Sequence, residues 1–537
     1  MDVLLTDADI VTMAAGGSPA RSMLVRDDRI AAVGRAGRVR AAAEPGARVM
    51  GLEGAAVIPG LIDAHCHLCD VGYLASGADC SQPAAPDIPA IAARLRDAAA
   101  STPEGSWVTG SGYVEYKLRE GRHPTRGALD AAVPGRPAIL FHTSLHACVL
   151  NTPALREAGF DDREPDPPGG QFGRDREGRL DGVVHEGPTF TLLWSGLRRD
   201  LERMSAAARA GLVAGAAQHF AALGITAACD ADTRRDSLTA YTEADERGML
   251  GVRVAGLVVH DEADWLLGSG LRGRRSPRLA AESVKIWSDG GMSSRTAAIH
   301  GSYPVPPYGS GIMYFSRGEL TELVAEFDAR GLQVCIHAQG DRAIETVLDT
   351  YATVLGARSR NPLRHRIEHG GSLFAPLAAR AASLGIAVAA QPGMLSILGD
   401  GFAEALPERS DELYAYASWR RAGICVAGSS DAPVITADPL VGIRDAVLRR
   451  TSSGRVLGPG EGLAIRDALA LYTTEAAFAM HREQDLGSLA PGKLADFVVL
   501  DRNPLNTQPE QITNIRVLAT VVGGQPAFQA DDSPVQL

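Results

Sequence analysis

Apolar and polar positions follow two rhythms along this chain, and the change of rhythm divides it into three parts. Near the N-terminus, VLLTDADIVTM, SMLVRDDRIAAVG and ARVMGLEGAAVIPG alternate apolar and polar residues around Asp-Ala-Asp, Asp-Asp and Gly signals. That period of two predicts short strands joined by tight turns. The C-terminus returns to the same texture in ADFVVLDRN and IRVLATVVGGQPAF, where Gly523-Gly524 predicts a hairpin. Two β-rich ends around an α/β middle predict one small β domain built from both termini, residues 1–56 and 485–537, with a central domain over 57–484.

In that middle, eight apolar runs read as strands: AAVIPGLIDAHCHL, GITAACDAD, GVRVAGLVVH, ESVKIWSDG, GLQVCIHAQ, RHRIEHG, GIAVAAQP and GICVAGSSDAP. Helical spacing separates several of them. After GLQVCIHAQ, the residues Ile344, Val347, Leu348, Tyr351, Val354 and Leu355 recur at three- and four-residue intervals, with Asp341 placed as N-cap. Eight strands with intervening helices predict an α/β fold, a (β/α)8 TIM barrel. A long insertion, about residues 70–205, follows the first strand. Insertions at that place form lids and substrate pockets. Its aromatic residues Trp107, Tyr113, Tyr116, Phe141, Phe172, Phe190 and Trp194 suit either a pocket wall or the lid's own core.

Six residues with ligand chemistry stand where these runs end: His65, His67, Lys285, His337, His369 and Asp431. Ligands at strand ends, far apart in sequence, are how an α/β barrel assembles a metal site. His65 and His67 share one face of a strand, and Cys66 points away. Two neutral imidazoles on one face suit zinc or a similar divalent ion. By the same alternation, Cys335 and His337 face inward while Val334 and Ile336 face outward. Lys285 lies between Val284 and Ile286 in a strand that should be buried, where an unpaired ammonium is costly. A salt bridge to an inward carboxylate is the simpler remedy; carboxylation by CO2, giving an anionic oxygen ligand, is the other. Asp431 suits proton transfer beside a metal-activated water. It also suits a helix N-cap, since Pro433 could open a helix. Together the six read as a metal-dependent hydrolase.

Composition narrows the partners. The 537 residues carry 53 Lys and Arg against 64 Asp and Glu, a net charge of −11, with no basic run. Neither nucleic acid nor a membrane surface is expected as a partner. The N-terminus has no basic, apolar leader, and no segment approaches the roughly 20 apolar residues of a bilayer span. A cytoplasmic protein is expected. Seven scattered cysteines fit reduced thiols rather than a disulfide framework, and Cys66-x-x-Cys69 has no second pair to complete a zinc or redox motif.

The motifs PGLIDAHCHL, HACVLNTPAL, GGQFGRDREGRLDGVVHEG, VKIWSDGGMSSRTAAI, IHAQGDRAIETVLD, RIEHG, AGSSDAP and LGSLAPGKLADFVVLDRNPL span nearly the whole chain. It resembles the amidohydrolase superfamily, in the family 3 branch of YtcJ-like proteins and N-substituted formamide deformylases. The resemblance implies a metal-bearing barrel with a small β-sandwich, and hydrolysis of a carbon–nitrogen bond other than a peptide bond. A small amide, foremost an N-substituted formamide, is the implied substrate. Cyclic amide or ureide hydrolysis, deamination, and a non-hydrolytic lyase or isomerase reaction are the alternatives on the same site. His65, His67, His337 and His369 match the family's histidine ligands and Asp431 its acid/base. Lys285 matches a lysine that many members carboxylate, which reverses the preference for a salt bridge. His146, Glu186 and His300 match positions near the substrate, His300 within a variable loop that continues into GSYPVPPYGSG. Some relatives use a bridging Cys, for which Cys80 and Cys148 are the candidates here. Zinc is the implied ion, as one or two ions, with manganese or iron the next choices. A homodimer is one assembly open to the chain.

Overall fold

All eight predicted runs pair side by side, in chain order, as parallel strands: β1 (Leu61–Cys66), β2 (Ile225–Thr233), β3 (Arg253–Val259), β4 (Leu279–Trp287), β5 (Gln333–Ala338), β6 (Arg366–His369), β7 (Ala387–Ala390) and β8 (Val426–Gly428). The structure is a computed structural model and describes residues 2–16, 19–167, 169–304, 309–356 and 361–535. Past the ends of β8 and β1, the Asp431 N–H donates to His65 O and the His67 N–H to Ala432 O, each at 2.7 Å. These two bonds bring the last strand to the first, and the barrel is nearly closed. The register places Lys285 beside Cys335 and Ala338 beside His369, so ligand-type residues of neighbouring strands lie at similar heights.

Strands buried on both faces need apolar residues on both, and β5 shows how they are shared. Val334 and Ile336 belong to the large core between barrel and helices, while Cys335 packs inside the barrel with Cys229, Ala231 and Leu257. Each fully buried aliphatic side chain of this kind contributes about 1.5–3 kcal/mol. The helix Asp341–Leu355 buries Ile344, Val347, Leu348, Tyr351 and Leu355 in the same core. Its N-cap is Gly340 rather than Asp341. A Cβ at Gly340 would fall 1.9 Å from Ala298 O, so no capping side chain fits there. Asp341 instead accepts the His300 N–H at 2.8 Å.

The first predicted strand divides at Gly60. Ala56–Pro59 pairs antiparallel with Phe497–Leu500, and Leu61–Cys66 pairs with β2. The chain ends build two sheets. One orders Arg29–Gly34, Ser22–Arg26, Asp2–Thr6 and Arg48–Gly51; the other orders Asp9–Ile10, Ala56–Pro59, Phe497–Leu500, Val517–Val522 and Gln525–Gln529. Leu5, Met23, Val25 and Met50 of the first share a core with Val57, Phe497, Val499 and Val521 of the second. Gly523 and Gly524 turn the hairpin between Val522 and Gln525, both with φ in the left-handed region (60° and 73°).

The insertion holds more structure than its sequence suggests. Six strands, ordered Gly170–Arg174, Leu180–Glu186, Ala147–Leu150, Ala138–His142, Val108–Tyr113 and Ala78–Asp79, form a separate sheet. The helices Ile88–Ser101 and Arg126–Ala132 cover it with their own apolar cluster. Among the described residues, no helix is long and apolar enough to cross a membrane.

Candidate metal centre

Backbone placement brings the six residues to one end of the barrel. His65 is on β1, Lys285 on β4, His337 on β5 and His369 on β6, while His67 and Asp431 lie just past β1 and β8. All six line one cavity of about 30 Å³ together with His146, Asp70, Asp232, Phe190 and Trp287. His65 Nε2 lies 3.3 Å and His67 Nε2 3.0 Å from Asp431 Oδ1. The rings of His65 and His369 are 4.7 Å apart, and those of His337 and His369 are 4.6 Å apart.

The outer partners assign the protons. His65 Nδ1 donates to Glu368, itself gripped by Arg366, whose Nε donates to Glu368 Oε1 at 2.6 Å. That leaves His65 Nε2 a bare lone pair facing a carboxylate oxygen, buried and without a hydrogen-bond partner among the described residues. Two acceptors held face to face call for a cation between them. Ligands at about 2.0–2.1 Å from a tetrahedral zinc stand about 3.3 Å from one another, close to the two spacings seen here. His369 Nδ1 donates to Gln391 Oε1 at 2.8 Å, freeing its Nε2, and His337 Nε2 donates to Gly290 O at 3.1 Å, freeing its Nδ1. The donor set therefore fits a divalent ion.

Electrostatics agree. Burial would pull His67 down, but the hydrogen bond and charge of Asp431 raise it to about 9. A proton on His67 thus balances Asp431 where a metal cation otherwise would. Burial would raise Asp431, yet positive charge at the His65 and His67 nitrogens facing it, whether carried by a proton or by a bound cation, holds it well below the usual carboxylate range. Burial, with the neighbouring positive groups, drives His337 well below the ordinary histidine value, and burial takes His369 to about 3. Both are neutral imidazoles, the form that ligates metals.

Lys285 forms no salt bridge among the described residues. Its Nζ is buried without a hydrogen-bond partner among the described residues and lies 4.7 Å from the Trp287 ring centroid. Burial lowers its pKa against the opposing charges of Glu368 and Asp431. The nearby Glu368, whose charge opposes the effect of burial on the ammonium, is already engaged by Arg366 and His65. Nor does Asp431 cap a helix: Pro433 opens none, and the next helix starts at Pro439.

His146 lies across the cavity, its ring 5.6 Å from that of His337. Its Nδ1 donates to Glu186 Oε2 at 2.8 Å. Glu186 also accepts from Thr296 and, at 2.5 Å, from the Tyr314 hydroxyl. Burial would neutralise this pair; instead Glu186 raises His146, and His146 with the hydroxyl donors lowers Glu186. His300 stands apart, exposed, its Nε2 2.9 Å from Glu345 Oε2. The segment that follows it runs through residues 305–308, outside the described residues. Cys80 and Cys148 are buried in the apolar clusters around the insertion sheet and do not line the cavity.

Sequence reasoning missed Glu368, Gln391 and Asp289. The alternation of Arg366 and Glu368 along β6 was the available signal for the first. Asp289 accepts the N–H groups of Ala298, Gln339 and Gly340 at 2.8–3.0 Å, tying the loop after β4 to the loop after β5. Four residues at the site hold positive φ without being glycine: Leu145 (58°), Glu186 (62°), His369 (70°) and Asp431 (61°). Such strain costs about 1–3 kcal/mol each and collects at functional sites.

A larger pocket of about 950 Å³ adjoins the cavity through Phe190 and Trp287, with Trp107, Trp194, Tyr314 and Phe315 on its walls. Phe190 and Trp194 stack at 5.7 Å. Of the insertion's aromatics, these and Trp107 face the pocket, whereas Tyr113, Phe141 and Phe172 are core.

A barrel that converges imidazoles and a carboxylate in this way is the framework of a metal-dependent hydrolase. The chain belongs to the Amidohydrolase family, whose profile matches residues 48–528, and it is a hydrolase acting on carbon–nitrogen bonds. It is 30% identical to the N-substituted formamide deformylase of Arthrobacter pascens over 99% of both chains. It is also 30% identical to the protein LONG AFTER FAR-RED 3 of Arabidopsis thaliana, covering 98% of this chain and 91% of that one. Its fold matches that of an uncharacterized metal-dependent hydrolase from Pyrococcus horikoshii with a TM-score of 0.77 at 24% identity, over 95% of this chain and 99% of the other.

Proposed function

We propose that this protein hydrolyses an N-substituted formamide or a similarly small amide, at a centre held by His65, His67, His337, His369 and Asp431. The carrying observation is the His65 lone pair facing Asp431 across 3.3 Å, with Glu368 fixing the tautomer. Zinc is the ion read into this donor set; when bound it supplies the acidity that makes water nucleophilic near pH 7 and polarises the carbonyl. Asp431 accepts the proton of the attacking water and hands it to the departing amine nitrogen. His146, fixed by Glu186, donates toward the substrate from the opposite wall. Lys285, unpartnered in the same cavity, is read as the carboxylated residue that adds an anionic oxygen ligand and allows a second ion.

The cavity at the ligands is small, about 30 Å³, which favours a small acyl group such as formyl at that end of the substrate. The aromatic pocket beyond Phe190 and Trp287 takes the N-substituent, which makes a bulky apolar amine the preferred leaving group. The formamide reading has the further support of the Arthrobacter pascens relative's name. We also read the two terminal sheets, with their shared core, as one β-sandwich domain of residues 1–56 and 485–537. The test is a panel of N-alkyl and N-aryl formamides, matching acetamides and cyclic ureides, offered to the zinc-loaded protein. Formate release should dominate and rise with the size of the N-substituent. Turnover confined to the cyclic ureides would overturn the reading.

A further inference from the structure

The opposite end of the barrel has chemistry of its own. A pocket of about 330 Å³ opens at the N-terminal ends of β3 to β6, away from the ligands, and Arg272, Arg274, Arg366 and Arg482 line it. Arg366 is already engaged by Glu368 and by Ala64 O. Of the other three, Arg272 and Arg274 are exposed and Arg482 is largely buried. Arg272 donates to Gly331 O at 3.1 Å. Arg274 reaches Asp485 at 3.3 Å, and Arg29 reaches the same carboxylate at 3.3 Å. Arg482 lies 3.6 Å from that carboxylate too, and its Nε and Nη2 are buried without a hydrogen-bond partner among the described residues. One carboxylate, outside the pocket lining, thus serves three arginines, and among the lining residues Glu282, exposed on the wall, is the acid.

Buried guanidinium nitrogens without acceptors are costly, and an uncompensated buried charge costs more. Burial and the like charges of Arg274 and Arg253 bring Arg482 below the ordinary arginine value, the direction expected of a cation short of partners. A planar fork of donors beside further arginines is suited to oxyanions, which accept two parallel N–H bonds. The bottom of such a barrel otherwise serves stability, and a well-packed floor would have filled this space with apolar side chains.

We propose that Arg482, with Arg272 and Arg274, forms a binding site for a small dianionic oxyanion at the barrel's N-terminal mouth, separate from the catalytic cavity. The source of the charge is a phosphoryl group or a pair of carboxylates. The test titrates inorganic phosphate, and separately succinate, into the metal-loaded full chain at low ionic strength, with heat as the readout. At least one should bind with Kd below about 1 mM. Arg482→Leu should weaken it at least about tenfold, with bound metal and thermal midpoint unchanged. Arg272→Ala, at an exposed position that does not threaten folding, should weaken it about threefold or more. Tighter phosphate binding supports a phosphoryl ligand, and tighter succinate binding a dicarboxylate. Absence of binding by both anions overturns the site, as does unchanged binding in both variants, which would place the anion elsewhere.

Discussion

His65 can serve as a ligand only while its other nitrogen is held, and Glu368 holds it. Outer partners of this kind typically govern metal affinity by about 10–100-fold. Glu368→Gln should therefore weaken zinc binding by about that factor in competition with a chromogenic chelator, and unchanged affinity would contradict the assigned tautomer. Lys285→Ala should lower bound metal per chain and turnover together, as measured by elemental analysis and formate assay; survival of both would remove Lys285 from the centre. The ligand-type residues were legible in the sequence because each ended an apolar run before a loop former. Glu368 was not, because its value depends on a partner 303 positions away. Lys285 shows the limit of reading one residue by cost alone. A salt bridge was the cheaper remedy for its burial, yet the carboxylate beside it was already committed to Arg366.

At the scale of elements, the eight barrel strands were legible because short apolar runs bounded by loop formers recur, several of them separated by helical patterns. The insertion's sheet was not. Its strands, such as the Gly-rich VTGSGY of Val108–Tyr113, lack both continuous hydrophobicity and clean alternation. The link between barrel and terminal sheets was equally hidden. Arg253 on β3 forms a buried, two-bond pair with Asp496 at 2.7 and 2.8 Å, and Asp496 also accepts the Gly523 N–H at 2.7 Å. Removing one member leaves a buried charge unpaired, at a cost of about 3–5 kcal/mol. Asp496→Ala should lower stability in urea by about that amount; a loss under about 1 kcal/mol would show the link to be dispensable.

For the whole molecule, the proposed histidine and aspartate ligands come from β1 and the loop after it, β5, β6 and the loop after β8, so an ion bound there would tie the two ends of a nearly closed barrel. An ion that binds only the folded chain adds about 2.7 kcal/mol at one hundred times its Kd. Zinc loading should raise the thermal midpoint of the wild type, and His65→Ala should abolish most of that rise; an equal rise in both would place the ion elsewhere. The central claim is that water, activated at this centre, cleaves an amide carbon–nitrogen bond. It is tested most directly by turnover of an N-substituted formamide in 18O-labelled water, with zinc-loaded and chelator-stripped protein side by side. The account predicts formate carrying one solvent oxygen from the loaded protein and none above background from the stripped one. Formate without the label, or equal turnover by both preparations, would contradict it.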